Sequence, residues 1–248
     1  VGTLETDHFI FLYTPAMAGQ VEELAEFCER AYAFVKQWGE FTRKEKMGLH
    51  VMGEPVPKEL RGLFNYSTSD PSVKLSDLPF SFYLFIVHEV MHSVQMQNNW
   101  VSVSWIREGF AHYAAFLAAD RDWEKFAGFD VHGLNDKKAV LAKIQELGLK
   151  PITSPEGLKP FEPWQIEDKY IHKAEPPEFS EEEREAIDTG YKVVYGGGMW
   201  IFLFMEEKFG QEKVREFVQA HAYRSAFKQV FGMDAAEFEA QWFAWMAE

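Results

Sequence analysis

Residues 80–97 are an almost unbroken apolar and aromatic run interrupted by His88, Glu89 and His92. Asp77 and Pro79 in front of it form a helix-start signal, and the spacing predicts a helix over about 80–98. In a helix, residues i and i+4 lie on one face a turn apart. Both imidazoles of His88-Glu89-Val90-Met91-His92 can therefore address one point, with Glu89 projecting beside that face. Two imidazoles so placed suit a divalent ion, and the glutamate between them can reach the ion's water without ligating the ion. The competing reading is a helix whose histidines are exposed or satisfied in the core.

A catalytic His₂Glu zinc site needs a third protein ligand and an open fourth position. Glu108, sixteen residues after His92, stands near the start of the next apolar helix, expected over Val103–Ala119. An antiparallel return of that helix would carry Glu108 back to the histidines, and Gly109 would let the second helix approach the first closely. Otherwise Glu108 is an ordinary first-turn carboxylate favoured by the helix dipole.

Trp105-x-x-Glu108-Gly109-x-Ala111-x-Tyr113 after His-Glu-x-x-His resembles the gluzincin metallopeptidases of the MA clan, the group that includes aminopeptidase N and thermolysin. The bacterial peptidase MA-like domains are the most similar in layout. The resemblance implies a thermolysin-like zincin domain, one Zn²⁺ held by His88, His92 and Glu108, and Glu89 as general base. It also implies an oxyanion-binding tyrosine in the segment Tyr195–Gly210. Tyr195 is the candidate, and Tyr191 one turn earlier is its rival. A phenol beside zinc can donate to developing negative charge. The opening Thr6-Asp7-His8-Phe9 and the ending Gly232–Trp245 resemble the ends of MA-like domains, whereas 121–190 match no known element. The chain has no Gly-x-Met-Glu-Asn element of the aminopeptidase kind, so the resemblance implies an endopeptidase. Arg61–Tyr66 is then expected as an edge strand lining the cleft.

Elsewhere the pattern reads as α+β. Residues 8–13, Gly48–Met52 and Gly62–Tyr66 are strand candidates. Met17, Val21, Leu24, Cys28, Ala31, Val35 and Trp38 recur at helical spacing up to Gly39, and Cys28 on that face reads as a small core hydrophobe. A helix is expected over Asn135–Leu147. Ser180 with Glu183 reads as a capping box, and another helix runs from Gly197 to Gly210. Strands come early and helices late. The domain reading is accordingly an N-terminal zincin lobe, 1–120, and a helical lobe, 121–248, forming one catalytic unit. Six prolines make 150–180 irregular. Residues 151–190 carry 11 acidic and 4 basic residues, a net of −7 and half of the chain's −14. This stretch is a lid over a cleft or a solvated excursion.

The acidic balance speaks against a nucleic-acid partner, and no run of 18 apolar residues exists for a transmembrane helix. A single cysteine allows no internal disulfide. Val1 in place of Met reads as a processed or trimmed product, with export and the cytoplasm both open. His112, four residues after Glu108, reads as a solvated helix histidine, the alternative being a place behind the metal ligands or facing substrate, and His8, His50, His132, His172 and His221 read as structural or exposed. The expectation is a zinc peptidase acting on peptide or protein substrates. The rivals are a zincin-fold binding module without catalysis and a metal-free helical interaction domain.

Overall fold

Alternation of large apolar residues makes Phe9–Tyr13 a strand (β2), with Phe9 and Phe11 buried on one face. The computed structural model describes residues 2–41, 46–52, 64–67, 80–100, 103–130, 132–163, 179–220 and 222–248. Gly2–Glu5 (β1) pairs antiparallel to β2; Met47–Met52 (β3) pairs parallel to β2, and Phe64–Ser67 (β4) parallel to β3. The sheet order is β1-β2-β3-β4. A parallel pair needs a crossover, and helix α1, Ala18–Val35, lies between β2 and β3 in the chain. The apolar stripe that the sequence periodicity selects, from Met17 to Trp38, is buried throughout. Burial first, and the neighbouring Glu29 second, push the Cys28 thiol up, so it behaves as a core hydrophobe. Among the described residues the expected edge strand is Phe64–Ser67; Arg61–Leu63 and the Asp77–Pro79 start signal lie outside them.

Six helices carry the next part of the argument. These are α2 (Phe80–Gln97), α3 (Ser104–Ala118), α4 (Trp123–Ala127), α5 (Lys137–Glu146), α6 (Glu181–Gly190) and α7 (Gly197–Phe209). Three more, α8 (Gln211–Val218), α9 (Tyr223–Ala226) and α10 (Ala235–Ala247), close the described chain. The result is an α+β, zincin-like arrangement, with a small mixed sheet and flanking helices first and a mostly helical remainder. No helix of the described residues is long and apolar enough to cross a membrane.

Both halves of the Ser180–Glu183 capping box form: the Ser180 hydroxyl accepts from the Glu183 N–H, and the Glu183 carboxylate accepts from the Ser180 N–H. The helix expected to begin at Gly197 starts earlier. α6 continues through a π-helical turn, Tyr191–Gly196, into α7 without a break. A π turn inserts an extra residue, a feature common at functional sites, and here it carries both candidate tyrosines. Gly210, at φ +86°, ends α7 in a conformation that favours glycine. The sequence reading has no counterpart for β1 or α4. The latter is short and held by Asp122, whose side chain accepts from the Glu124 and Lys125 N–H groups. Within the irregular stretch, Pro155–Phe161 forms 3₁₀ turns, and 164–178 lie outside the described residues.

α10 anchors that irregular stretch through one carboxylate. Glu239 is 5% exposed and accepts from the Ile152 N–H at 2.8 Å, the Thr153 N–H at 3.2 Å and the Thr153 hydroxyl. Removing the acceptor strands two backbone donors, so Glu239→Ala is expected to lose about 2–4 kcal/mol in urea unfolding. Glu239→Gln, which keeps one oxygen, should lose less. Equal stability of Glu239→Ala and the parent chain would contradict this anchoring.

Candidate metal centre

α3 is buried on nearly every side, because α2 packs against one flank and α7 against the other. A helix apolar all round is a central helix. From near the start of α3, Glu108 meets the two histidines of α2. His92 Nε2 lies 3.0 Å from Glu108 Oε2 and 2.9 Å from His88 Nε2, and His88 Nε2 lies 3.6 Å from the same carboxylate oxygen. Tetrahedral zinc with ligands at about 2.1 Å places donor atoms about 3.4 Å apart. The three donors fit that spacing to within about half an ångström, and among the described residues they are the one such group that could hold a metal ion. The cluster is spaced like a zincin His-Glu-x-x-His plus Glu site, and its nitrogen and oxygen donors suit zinc.

The electrostatics of the cluster are coupled. Burial alone would lift the Glu108 carboxyl, but His92 and then His88 outweigh it and hold it well below the usual carboxylate range. Burial pulls the His92 imidazole down, yet Glu108 outweighs it and the net shift is upward. His88, desolvated and facing His92, is shifted downward. A cradle that stabilises a proton between His92 and Glu108 is also able to stabilise a cation in its place.

Neighbouring groups fix the cluster's orientation. Arg107 Nε donates to Glu108 Oε1 at 2.7 Å, which leaves Oε2 facing the histidines. Gln95 is buried, with Oε1 2.9 Å from His92 Nδ1, and its Nε2 donates to the Arg107 carbonyl at 3.0 Å. His88 Nδ1 is enclosed without a hydrogen bond.

A pocket of about 260 Å³ opens beside the cluster. It is lined by His88, Glu89, Tyr191 and Tyr195 together with Phe85, Phe129 and Leu134. The Tyr195 ring stacks with His88 at 6.2 Å between centroids and meets His112 edge-on at 4.8 Å. Thus all five residues singled out by sequence, His88, Glu89, His92, Glu108 and Tyr195, gather around one place. Tyr191 shares it, packed on Tyr195 at 4.6 Å.

Two sequence expectations need correction. His112 is not solvated: it is buried, 4.6 Å from His88 between ring centroids, and lines the pocket. The cause is the burial of α3 on both flanks, which a single-helix pattern does not reveal; burial first, then the adjacent His88, hold its pKa well below the ordinary histidine value. His132, read as structural or exposed, is structural. It lines the pocket, stacks on Tyr191 at 3.9 Å and sits 3.3 Å from the Asp188 carboxylate. Gly109 does not serve the approach of α3 to α2. A Cβ there would lie 2.4 Å from the Gly198 backbone, so Gly109 permits the crossing of α3 with α7 instead. Gln95 and Arg107 had no sequence signal, because each acts through a backbone or neighbouring group that only helix packing brings close. His8 is structural, bound to Glu29 at 2.7 Å; the side chain of His50 and residues His172 and His221 lie outside what is described. No protein-family model matches the sequence, and comparison with curated proteins returns no match, so the likeness to gluzincins rests on the motifs and the geometry of this cluster.

Proposed function

We propose that the protein is a zinc-dependent peptidase, a hydrolase of the gluzincin type that cleaves internal peptide bonds. The observation that carries the reading is the convergence of His88, His92 and Glu108 on one buried point beside a pocket that Glu89 and Tyr195 also line. His88, His92 and Glu108 would hold one Zn²⁺, which when bound supplies Lewis acidity toward the scissile carbonyl and a lowered pKa for water.

The chain's own groups do the rest. The Glu89 carboxylate takes the proton of the attacking water and passes it to the leaving amine. The Tyr195 hydroxyl donates to the oxyanion that develops on the carbonyl. Phe85, Phe129 and Leu134 shape the pocket for an apolar side chain next to the scissile bond. The absence of a Gly-x-Met-Glu-Asn element supports an endopeptidase over an aminopeptidase. The N-terminal part (1–120) and the helical part (121–248) act as one catalytic unit in this reading, because Tyr195 comes from the second and the metal cluster from the first.

The test uses the intact chain. Purified protein is expected to carry about one zinc per molecule and to cleave a fluorescent casein. A chelator should abolish cleavage and added zinc restore it. Stoichiometric zinc without cleavage of any peptide library would favour the binding-module reading, and protein free of zinc after growth in zinc would remove the metal reading altogether.

A further inference from the structure

The Gln95 side chain touches both helices of the cluster at once, and donor–acceptor rules decide which way its amide faces. The Arg107 carbonyl can only accept a hydrogen bond. The Gln95 atom 3.0 Å from it must therefore be the amide nitrogen. That leaves Gln95 Oε1, which can only accept, 2.9 Å from His92 Nδ1. His92 Nδ1 must then carry a proton and donate it. The remaining ring nitrogen, Nε2, is the one that faces Glu108 and His88.

We propose that Gln95 is a positioning residue of the metal centre, which holds His92 with Nδ1 protonated and Nε2 turned to the ion. This rests on the zinc reading above. The same amide ties His92 of α2 to the backbone of Arg107, next to Glu108 on α3, so one side chain sets the ring of one ligand and the distance to another. Arg107 completes the arrangement by holding Glu108 Oε1. His88 has no equivalent: its Nδ1 makes no hydrogen bond. Removal of Gln95 should therefore fall on His92, the less enclosed of the two imidazoles.

Partners that orient a ligating histidine typically change metal affinity about 10–100-fold when removed. Zinc affinity of the full chain, measured by competition with a chromophoric chelator at neutral pH, is expected to fall by about that factor in Gln95→Leu. Gln95→Glu keeps an acceptor opposite His92 Nδ1 but cannot donate to the Arg107 carbonyl, so its zinc affinity is expected to lie between those of the parent and Gln95→Leu. Circular dichroism establishes that each variant is folded at the assay temperature. A folded Gln95→Leu with parental zinc affinity overturns the proposal. If Gln95→Leu does not fold, the zinc-loaded parent still decides. Its long-range ¹H–¹⁵N spectrum should show His92 protonated at Nδ1 and metal-bound at Nε2, and the reverse assignment overturns the proposal. A parent chain that binds no zinc counts against the peptidase reading itself, whereas a zinc-binding parent matched by its variants counts against Gln95 alone.

Discussion

Glu89→Gln is expected to keep its zinc and lose peptide hydrolysis by about 10²–10⁴-fold in kcat, with little change in KM. The side chain sits on α2 directly after His88 and lines the pocket rather than joining the cluster. The amide has the same shape and can still hydrogen-bond, but it cannot take up the proton of an attacking water. The contrasting variant is Glu108→Ala. Glu108 is buried against both imidazoles, so its removal leaves two nitrogen donors, and zinc should no longer copurify at stoichiometric levels. Both variants would be inactive, but metal analysis separates them: one loaded, one empty. Full activity of Glu89→Gln would defeat its role as base. Unchanged zinc content in Glu108→Ala would exclude it as a ligand.

The parts of this site that were legible in the sequence are those set by local geometry. The four-residue step from His88 to His92 fixes a common face whatever surrounds the helix. Glu108 was legible because a helix that follows α2 after a short connection can pack back on it, as α3 does, and carry its early residues to the histidines. Ser180 and Glu183 announced their own cap, and Met17 to Trp38 their own buried stripe. The residues that were not legible depend on which faces of a helix its neighbours cover. α3 carries apolar residues on every side, so its pattern does not say that His112 is covered by His88, Tyr195, Phe126 and Phe129 rather than by water. His132 sits in a connection between α4 and α5, and it reaches the pocket only because Tyr191 and Asp188 come from the far end of the chain to meet it. The π turn that presents Tyr191 and Tyr195 has no established sequence signature. The helix was expected from about Gly197; three successive glycines, 196–198, weaken helix propensity, yet tertiary packing carries the helix through them.

Those glycines have separate roles, and one substitution exposes the difference. A Cβ at Gly198 would lie 2.3 Å from the Trp105 carbonyl oxygen and 2.8 Å from Gly109 Cα. Both obstacles are backbone of α3 and cannot rotate aside, so α3 and α7 must part. A Cβ at Gly197 meets the Ile144 Cδ1 methyl at 3.1 Å, the end of a flexible side chain, and the Lys192 carbonyl oxygen at an ordinary contact distance of 3.9 Å. Alanine in a helix interior is favoured over glycine by about 1 kcal/mol. Gly197→Ala should therefore be close to neutral, whereas Gly198→Ala is expected to lose about 3 kcal/mol or more in urea unfolding. The consequence reaches the site along both helices: Tyr195 lies one turn before Gly198, and Glu108 directly precedes Gly109. Parting the helices draws the phenol away from His88 and His112 while leaving the α2 and α3 ligands on their own pair of helices. Any folded fraction of Gly198→Ala should thus keep zinc and hydrolyse more slowly, with the loss in kcat rather than in metal content. Equal unfolding midpoints for the two alanine variants would show that the α3–α7 crossing does not depend on bare backbone contact.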